Sequence, residues 1–348
     1  MDSPDAELTK YSAVKEAKFY ERAKEDNVVC LTCERRCRIP EGSKGFCNTR
    51  MNIQGKLYTI VYGDVSSISA NPIEKKPFFH FHPSTLALTI GTWSCNFTCP
   101  WCQNYDISKN QPEPRRANYI SPEELLEIAL ENGCNGTSIS FNEPTLLLEY
   151  SLTLFPLARE MGLYNTYVSN GYMTPQALDA LVESGLDAIK FDVKGDEEVY
   201  EKYCGGVKAE VTWRNARRAK ELGLHVEIVN LVIPGVNDDE ECLRGLVEKH
   251  IKELGPDTPL HFTRYHPEYR FNAPSTPVKT LEKARDLARS MGVLFPYVGN
   301  VPGHKYENTW CPECGELLIK RFGFTIAGNR ITSDKKCPKC GFKIPIVQ

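Results

Sequence analysis

The sequence predicts an α/β fold: a partial (β/α)6 barrel of TIM type, with a cysteine-rich β segment before it and a small cysteine ribbon after it. Three observations carry this expectation. From residue 86 onward, apolar strand-like runs alternate with helix signals. The helical stretches close at glycines and are joined by short loops. The chain has 14 cysteines, and eleven of them lie in three sets of four, three and four, placed before, at the start of and after the alternating region.

The expected strands are residues 86–90, 137–141, 164–168, 187–192, 225–232, 259–265 and 293–297. They are rich in Val, Ile, Phe and Tyr, as strands buried on both faces are. Ser121-Pro122-Glu123-Glu124 offers an N-cap serine, a proline at the first helical position and a capping-box glutamate. Thr174-Pro175 and Thr276-Pro277 open two further helices. Gly133, Gly162, Gly185, Gly223, Gly255 and Gly292 follow the helical runs, where a left-handed cap suits glycine. Strand and helix in alternation give a parallel sheet with right-handed crossovers. About six repeats make a closed or partly open barrel, and a doubly wound sheet is the alternative. In both, ligands bind at the strand C-termini. The expected divisions are residues 1–85, 86–305 and 306–348.

Composition narrows the function. Of 348 residues, 41% are hydrophobic and 25% charged, which excludes a disordered chain. The net charge of −3 argues against a nucleic-acid binder that works through bulk charge. No apolar run reaches the roughly 18 residues of a membrane span. The N-terminus lacks the apolar stretch of a secretory signal. Clustered cysteines in a long chain without such a signal read as metal ligands rather than as a disulfide framework.

The first expected strand runs into Gly91-Thr92-Trp93-Ser94-Cys95-Asn96-Phe97-Thr98-Cys99-Pro100-Trp101-Cys102-Gln103-Asn104. Cys95, Cys99 and Cys102 can hold three corners of a cubane and leave the fourth iron open to a small molecule, the feature that separates catalytic from closed metal sites. The alternative is a structural zinc that borrows Cys134, Cys204 or Cys242.

C-x3-C-x-aromatic-C after the first strand of a βα barrel resembles the radical S-adenosylmethionine (SAM) superfamily. Further elements are similar in the same order. Asn142-Glu143-Pro144 follows the second strand, Ser169-Asn170-Gly171 the third, Asp192-Val193-Lys194 the fourth, Pro234-Gly235-Val236-Asn237-Asp238 the fifth, and Tyr265-His266 ends the sixth. The resemblance implies a radical SAM barrel with a [4Fe–4S] cluster that cleaves SAM reductively to a 5′-deoxyadenosyl radical. It implies SAM contacts from Trp101, Asn142, Glu143, Ser169, Asn170, Asp192, Lys194 and His266. Asn142 departs from the family's G-G-E-P element, where a second glycine stands. The catalytic residue toward the substrate is not identified by the resemblance.

The likeness is strongest to the radical SAM component of the AmmeMemoRadiSam system, related to pyruvate formate-lyase activating enzyme. It is carried by Asn71-Pro72-Ile73-Glu74-Lys75-Lys76-Pro77, Cys102-Gln103-Asn104, Leu260-His261-Phe262-Thr263-Arg264-Tyr265-His266-Pro267 and Gly299-Asn300-Val301-Pro302-Gly303-His304. The implied partners are SAM, a reducing electron donor, and a protein substrate or Memo-like protein. An oxygen-labile cofactor implies a cytoplasmic, anaerobic setting.

Two flanking sets complete the metal inventory. Cys311, Cys314, Cys337 and Cys340 form paired C-P-x-C-G knuckles of zinc-ribbon spacing, with rubredoxin-like iron as the alternative. Residues 311–348 count seven Lys/Arg against three Asp/Glu, a basic surface. Cys30, Cys33, Cys37 and Cys47 can close either a structural zinc site or a second Fe–S cluster. The leading function is therefore a radical SAM enzyme that abstracts hydrogen from a protein or small molecule. Activation of a glycyl-radical enzyme, a non-catalytic electron-transfer or scaffold protein, and a zinc-ribbon nucleic-acid adaptor are the alternatives.

Overall fold

The computed structural model describes residues 6–348, so the first five residues of the N-terminal segment lie outside the described residues. Packing divides the chain into two units. One comprises residues up to Ala70 together with Ala87–Asp187, and the other Asn71–Leu86 together with Ala188–Gln348.

The first unit holds the start of the repeat: β1 (Leu86–Gly91), β2 (Gly136–Ile139) and β3 (Tyr164–Ser169), with α1 (Pro122–Glu131), α2 (Leu148–Glu160) and α3 (Pro175–Ser184). The strands run parallel, with Ala87 and Tyr164 both opposite Gly136. They are buried almost throughout, and their buried polar side chains find partners within the fold, Thr137 Oγ1 donating to Asn165 Oδ1 at 2.7 Å. Gly136 is required by packing: a Cβ there would lie 2.1 Å from the Tyr164 ring. Ser121 and Thr174 cap their helices as expected, accepting from Glu124 N and Ala177 N.

The N-terminal part adds two small antiparallel sheets. One is Lys15–Glu16, Arg50–Ile53 and Lys56–Thr59, the other Tyr20–Arg22, Val28–Cys30 and Arg38–Ile39. Ile53 pairs with Lys56 across Gln54-Gly55, both at positive φ, a two-residue hairpin whose twist suits the strands. Ala17, Val28, Ile39 and Leu57 close its core with Cys30. A buried ion pair, Arg50 Nη1 to Glu149 Oε1 at 2.7 Å, fastens this layer to α2.

The second unit continues with β4 (Ala188–Val193), β5 (His225–Val232), β6 (Leu260–Arg264) and β7 (Pro296–Gly299), again parallel and sequential. Its helices are α4 (Glu197–Tyr203), α5 (Ala209–Glu221), α6 (Glu240–Leu254) and α7 (Val278–Ser290). Within each unit, strands that follow one another in the chain are neighbours, the order of a βα barrel rather than of a doubly wound sheet. The last strand starts three residues later than expected. Val293 N instead bonds back to Ala288 O and caps α7. Thr276 also differs: its hydroxyl donates to Val232 O and accepts from Tyr265 N rather than capping a helix.

The ribbon is an antiparallel sheet of Thr309–Trp310, Leu317–Phe322 and Thr325–Asn329. Its Cys311, Leu318, Ile319 and Cys337 share one core with Phe79, Phe295 and Tyr297. No helix of the described residues is long and apolar enough to cross a membrane.

Candidate metal centres and cofactor site

In the first unit, the cysteine loop leaves β1 at Gly91, where Phe141 approaches so closely that a Cβ would lie 3.0 Å from Phe141 Cβ. Two asparagines lace the loop to the end of β2. Asn142 Oδ1 accepts from Thr92 N at 3.2 Å and its Nδ2 donates to Ser94 O at 2.8 Å. Asn104 Nδ2 donates to Phe141 O at 2.5 Å. Ser94, at positive φ, and Phe141, likewise, are the bends that this lacing holds. Phe97 N points at Cys95 Sγ at 3.4 Å, and Ser108 Oγ lies 3.0 Å from Cys102 Sγ. Burial pushes the Cys95 thiol up, as does the nearby Glu143 charge. Three thiols on one loop, two with polar hydrogens beside them, fit an iron–sulfur cluster held at three irons. Trp101, inside the loop, is buried.

The ends of β2 and β3 meet behind the loop. Glu143 is fully buried; its Oε1 accepts from Thr145 N, Thr145 Oγ1 and Ser169 Oγ, and its Oε2 from Asn170 N. Burial raises its carboxyl above the ordinary range, against the pull of these donors. Asn170 Nδ2 donates to Asn96 Oδ1 at 2.7 Å. Glu143, Ser169, Asn170 and the loop residue Asn96 thus form one hydrogen-bonded web.

In the second unit, Asp192 stands between two lysines. Lys190 Nζ bonds its Oδ1, and Lys194 Nζ lies 3.3 Å from its Oδ2. Burial would raise the Asp192 carboxyl, yet the two ammonium groups hold it below the usual range. Asn237 Nδ2 donates to Lys194 O and Leu231 O, which fixes the loop after β5 against the end of β4. His266 is exposed, with Nδ1 3.1 Å from Ser275 Oγ. Sequence reasoning missed Lys190, Asn96 and Asn104. Lys190 had a signal, because residues 190 and 192 share one face of a strand and Lys194 follows directly after its end.

The ribbon cysteines form a closed site, with the ligand atoms of Cys311, Cys314, Cys337 and Cys340 all within 4.8 Å of one another. Gly315 N bonds to Cys311 O and Gly341 N to Cys337 O, so the two knuckles repeat one turn. Cys30, Cys33, Cys37 and Cys47 line one cavity of the first unit. Of the remaining cysteines, Cys134 follows Gly133 and bonds back to Ala129 O as a helix cap, while Cys204 and Cys242 are buried.

The three-thiol loop stands at the end of the first strand of a parallel βα fold, and the family match includes it. Residues 90–244 match the Radical SAM superfamily. The chain is 42% identical over 336 residues to the uncharacterized protein MJ0808 of Methanocaldococcus jannaschii, covering 96% of this chain and 100% of that one. It is 25% identical over 180 residues to the pyruvate formate-lyase-activating enzyme of Streptococcus mutans, 49% of this chain and 68% of that one. Streptococcus suis SuiB bound to S-adenosylmethionine shows 15% identity and a TM-score of 0.49, over 66% of this chain and 53% of that chain. Residues 90–244 are thus a radical SAM domain.

Proposed function

We propose that this chain cleaves SAM reductively and abstracts a hydrogen atom from a protein or small-molecule substrate, drawing its electron from a low-potential donor. The observation that carries the reading is the loop of Cys95, Cys99 and Cys102, fixed by Asn104 and Asn142 to the end of β2. A [4Fe–4S] cluster held there by Cys95, Cys99 and Cys102 would supply the electron and an open iron. The chain's own residues bind and orient: Trp101, Asn142, Ser169 and Asn170 beside the loop, with Glu143 holding the last two in place. Asp192, Lys194 and His266 offer charged and polar groups suited to the amino-acid end and ribose of SAM. Protein activation is favoured as the second reading by the likeness to the activating enzyme. A Memo-like protein is the partner that the sequence resemblance implies. The ribbon, with Cys311 and Cys340 sulfurs 3.5 Å apart, suits one zinc ion.

Anaerobically reconstituted protein should change its electron paramagnetic resonance spectrum on addition of SAM, and dithionite should then yield 5′-deoxyadenosine. An unchanged spectrum with no cleavage product overturns the reading.

A further inference from the structure

We infer that Asn96 is a positioning residue for SAM, holding Asn170 at the end of β3 from a footing on the four-cysteine segment. This rests on the SAM-binding reading and adds to it a residue, and a segment, outside the family resemblance.

Asn96 directly follows Cys95 and is 0% exposed. A buried amide must place both its acceptor oxygen and its donor nitrogen. Asn96 Oδ1 accepts from Asn170 Nδ2 at 2.7 Å. On its other side the amide stands beside Cys33 as a hydrogen-bond donor. The Asn96 carbonyl accepts from Arg35 Nε at 2.5 Å. The Arg35 guanidinium in turn lies 3.5 Å from the centre of the Phe46 ring. One residue of the cluster loop is thus gripped from the four-cysteine segment and itself grips Asn170.

The same segment is bound to the chain just past Asn170. Glu34 N donates to Tyr172 O at 2.9 Å, Thr174 N to Thr32 O at 3.2 Å and Thr174 Oγ1 to Leu31 O at 2.7 Å. Cys33 and Met173 pair in a short antiparallel bridge. Phe97, next to Asn96, forms a T-shaped ring pair with Tyr172, centroids 5.4 Å apart. Tyr172 N donates to Asn170 Oδ1 at 3.0 Å. The oxygen of the Asn170 amide is therefore fixed from its own loop, and its nitrogen is fixed by Asn96. Without the Asn96 oxygen, a bond that sets the plane of this amide is gone.

The test is equilibrium binding of SAM to the anaerobically reconstituted full chain, with iron counted in each sample. The variants are Asn96→Leu, which keeps the volume and drops the acceptor, Asn170→Ala, and the two together. Asn96→Leu should hold the parent's iron and bind SAM about tenfold more weakly, the size of one lost hydrogen bond. The double variant should bind no more weakly than Asn170→Ala, because Asn96 acts through Asn170. Additive losses, or loss of cluster iron in folded Asn96→Leu, would give Asn96 a general supporting role and overturn the inference. Arg35→Ala tests the footing while leaving the cluster loop and the SAM contacts unchanged in sequence, and it carries the test if Asn96→Leu does not fold. It should weaken SAM binding about threefold at parental iron, the low end for one hydrogen bond. Parental affinity there removes the footing and overturns the inference. A parent that binds no SAM overturns the SAM reading as well. A parent that binds SAM beside an Asn96→Leu that binds it equally overturns the role of Asn96 alone.

Discussion

Asn142 occupies the position where the resembling motif has glycine, and its side chain gives the reason: both amide atoms bond to the backbone of the cysteine loop. Glu143 next to it is enclosed by four donors, whereas Asp192, Lys194 and His266 keep exposed atoms. Asp192→Ala, Lys194→Ala and His266→Ala should therefore weaken SAM binding and leave cluster iron intact. Lys194→Ala should have the largest effect, about ten- to a hundredfold, the size of a lost charge-assisted hydrogen bond. Equilibrium binding of SAM with parallel iron analysis checks this, and three variants that bind like the parent would remove these residues from the site. The cysteines were legible because their donors crowd into a few residues of sequence. Asn104 was not, since its partner Phe141 lies 37 residues on and nothing local announces the bond.

At the scale of the element, five of the labelled helices end alike. Cys134, Leu163, Leu186, Leu224 and Val293 each follow a glycine and donate back to Ala129, Ala158, Leu181, Ala219 and Ala288. This glycine-plus-apolar stop is a local motif, so the helix ends could be read from sequence. The start of β7 could not, because Val293 belongs by its side chain to a strand and by its N–H to the helix before it. Gly136 was equally silent: its requirement comes from Tyr164 on the neighbouring strand. Gly136→Ala should cost about 1–3 kcal/mol in chemical denaturation through overpacking. Adding Tyr164→Ala should recover part of that cost, a coupling that a purely local glycine effect would not show.

At the scale of the whole molecule, each unit is assembled from segments distant in sequence, which a reading along the chain does not reveal. In the second unit, residues 71–86 bring His80 to the buried carboxylate of Glu227. Glu227 accepts from His80 N at 2.8 Å and also contacts His225 Nε2 and His261 Nε2. His80 Nδ1 donates to Pro345 O, and burial keeps the ring neutral, so Nε2 accepts from Tyr297 OH at 2.6 Å. Burial lowers His80 to about 3 and, on α6, His250 to about 4. Glu227 is held below the usual carboxylate range, the imidazoles overcoming its burial. For both histidines the unfolded chain takes up its proton near the ordinary pKa of about 6.5, before the folded chain does. Stability is thus full above that pH and falls as pH drops toward 3 or 4. Glu227 adds to the loss in the same direction, below its ordinary range of about 4.3. The melting temperature should be flat from pH 7 to 8 and decline steadily below about 6.5. Loss of a metal held by the ribbon cysteines would also lower it in acid, so the variant comparison decides. His80→Gln/His250→Gln should melt lower than the parent at pH 7.5 yet lose less between pH 6.5 and 4.5, at equal metal content of the two proteins. An identical decline in parent and variant would assign the acid sensitivity elsewhere.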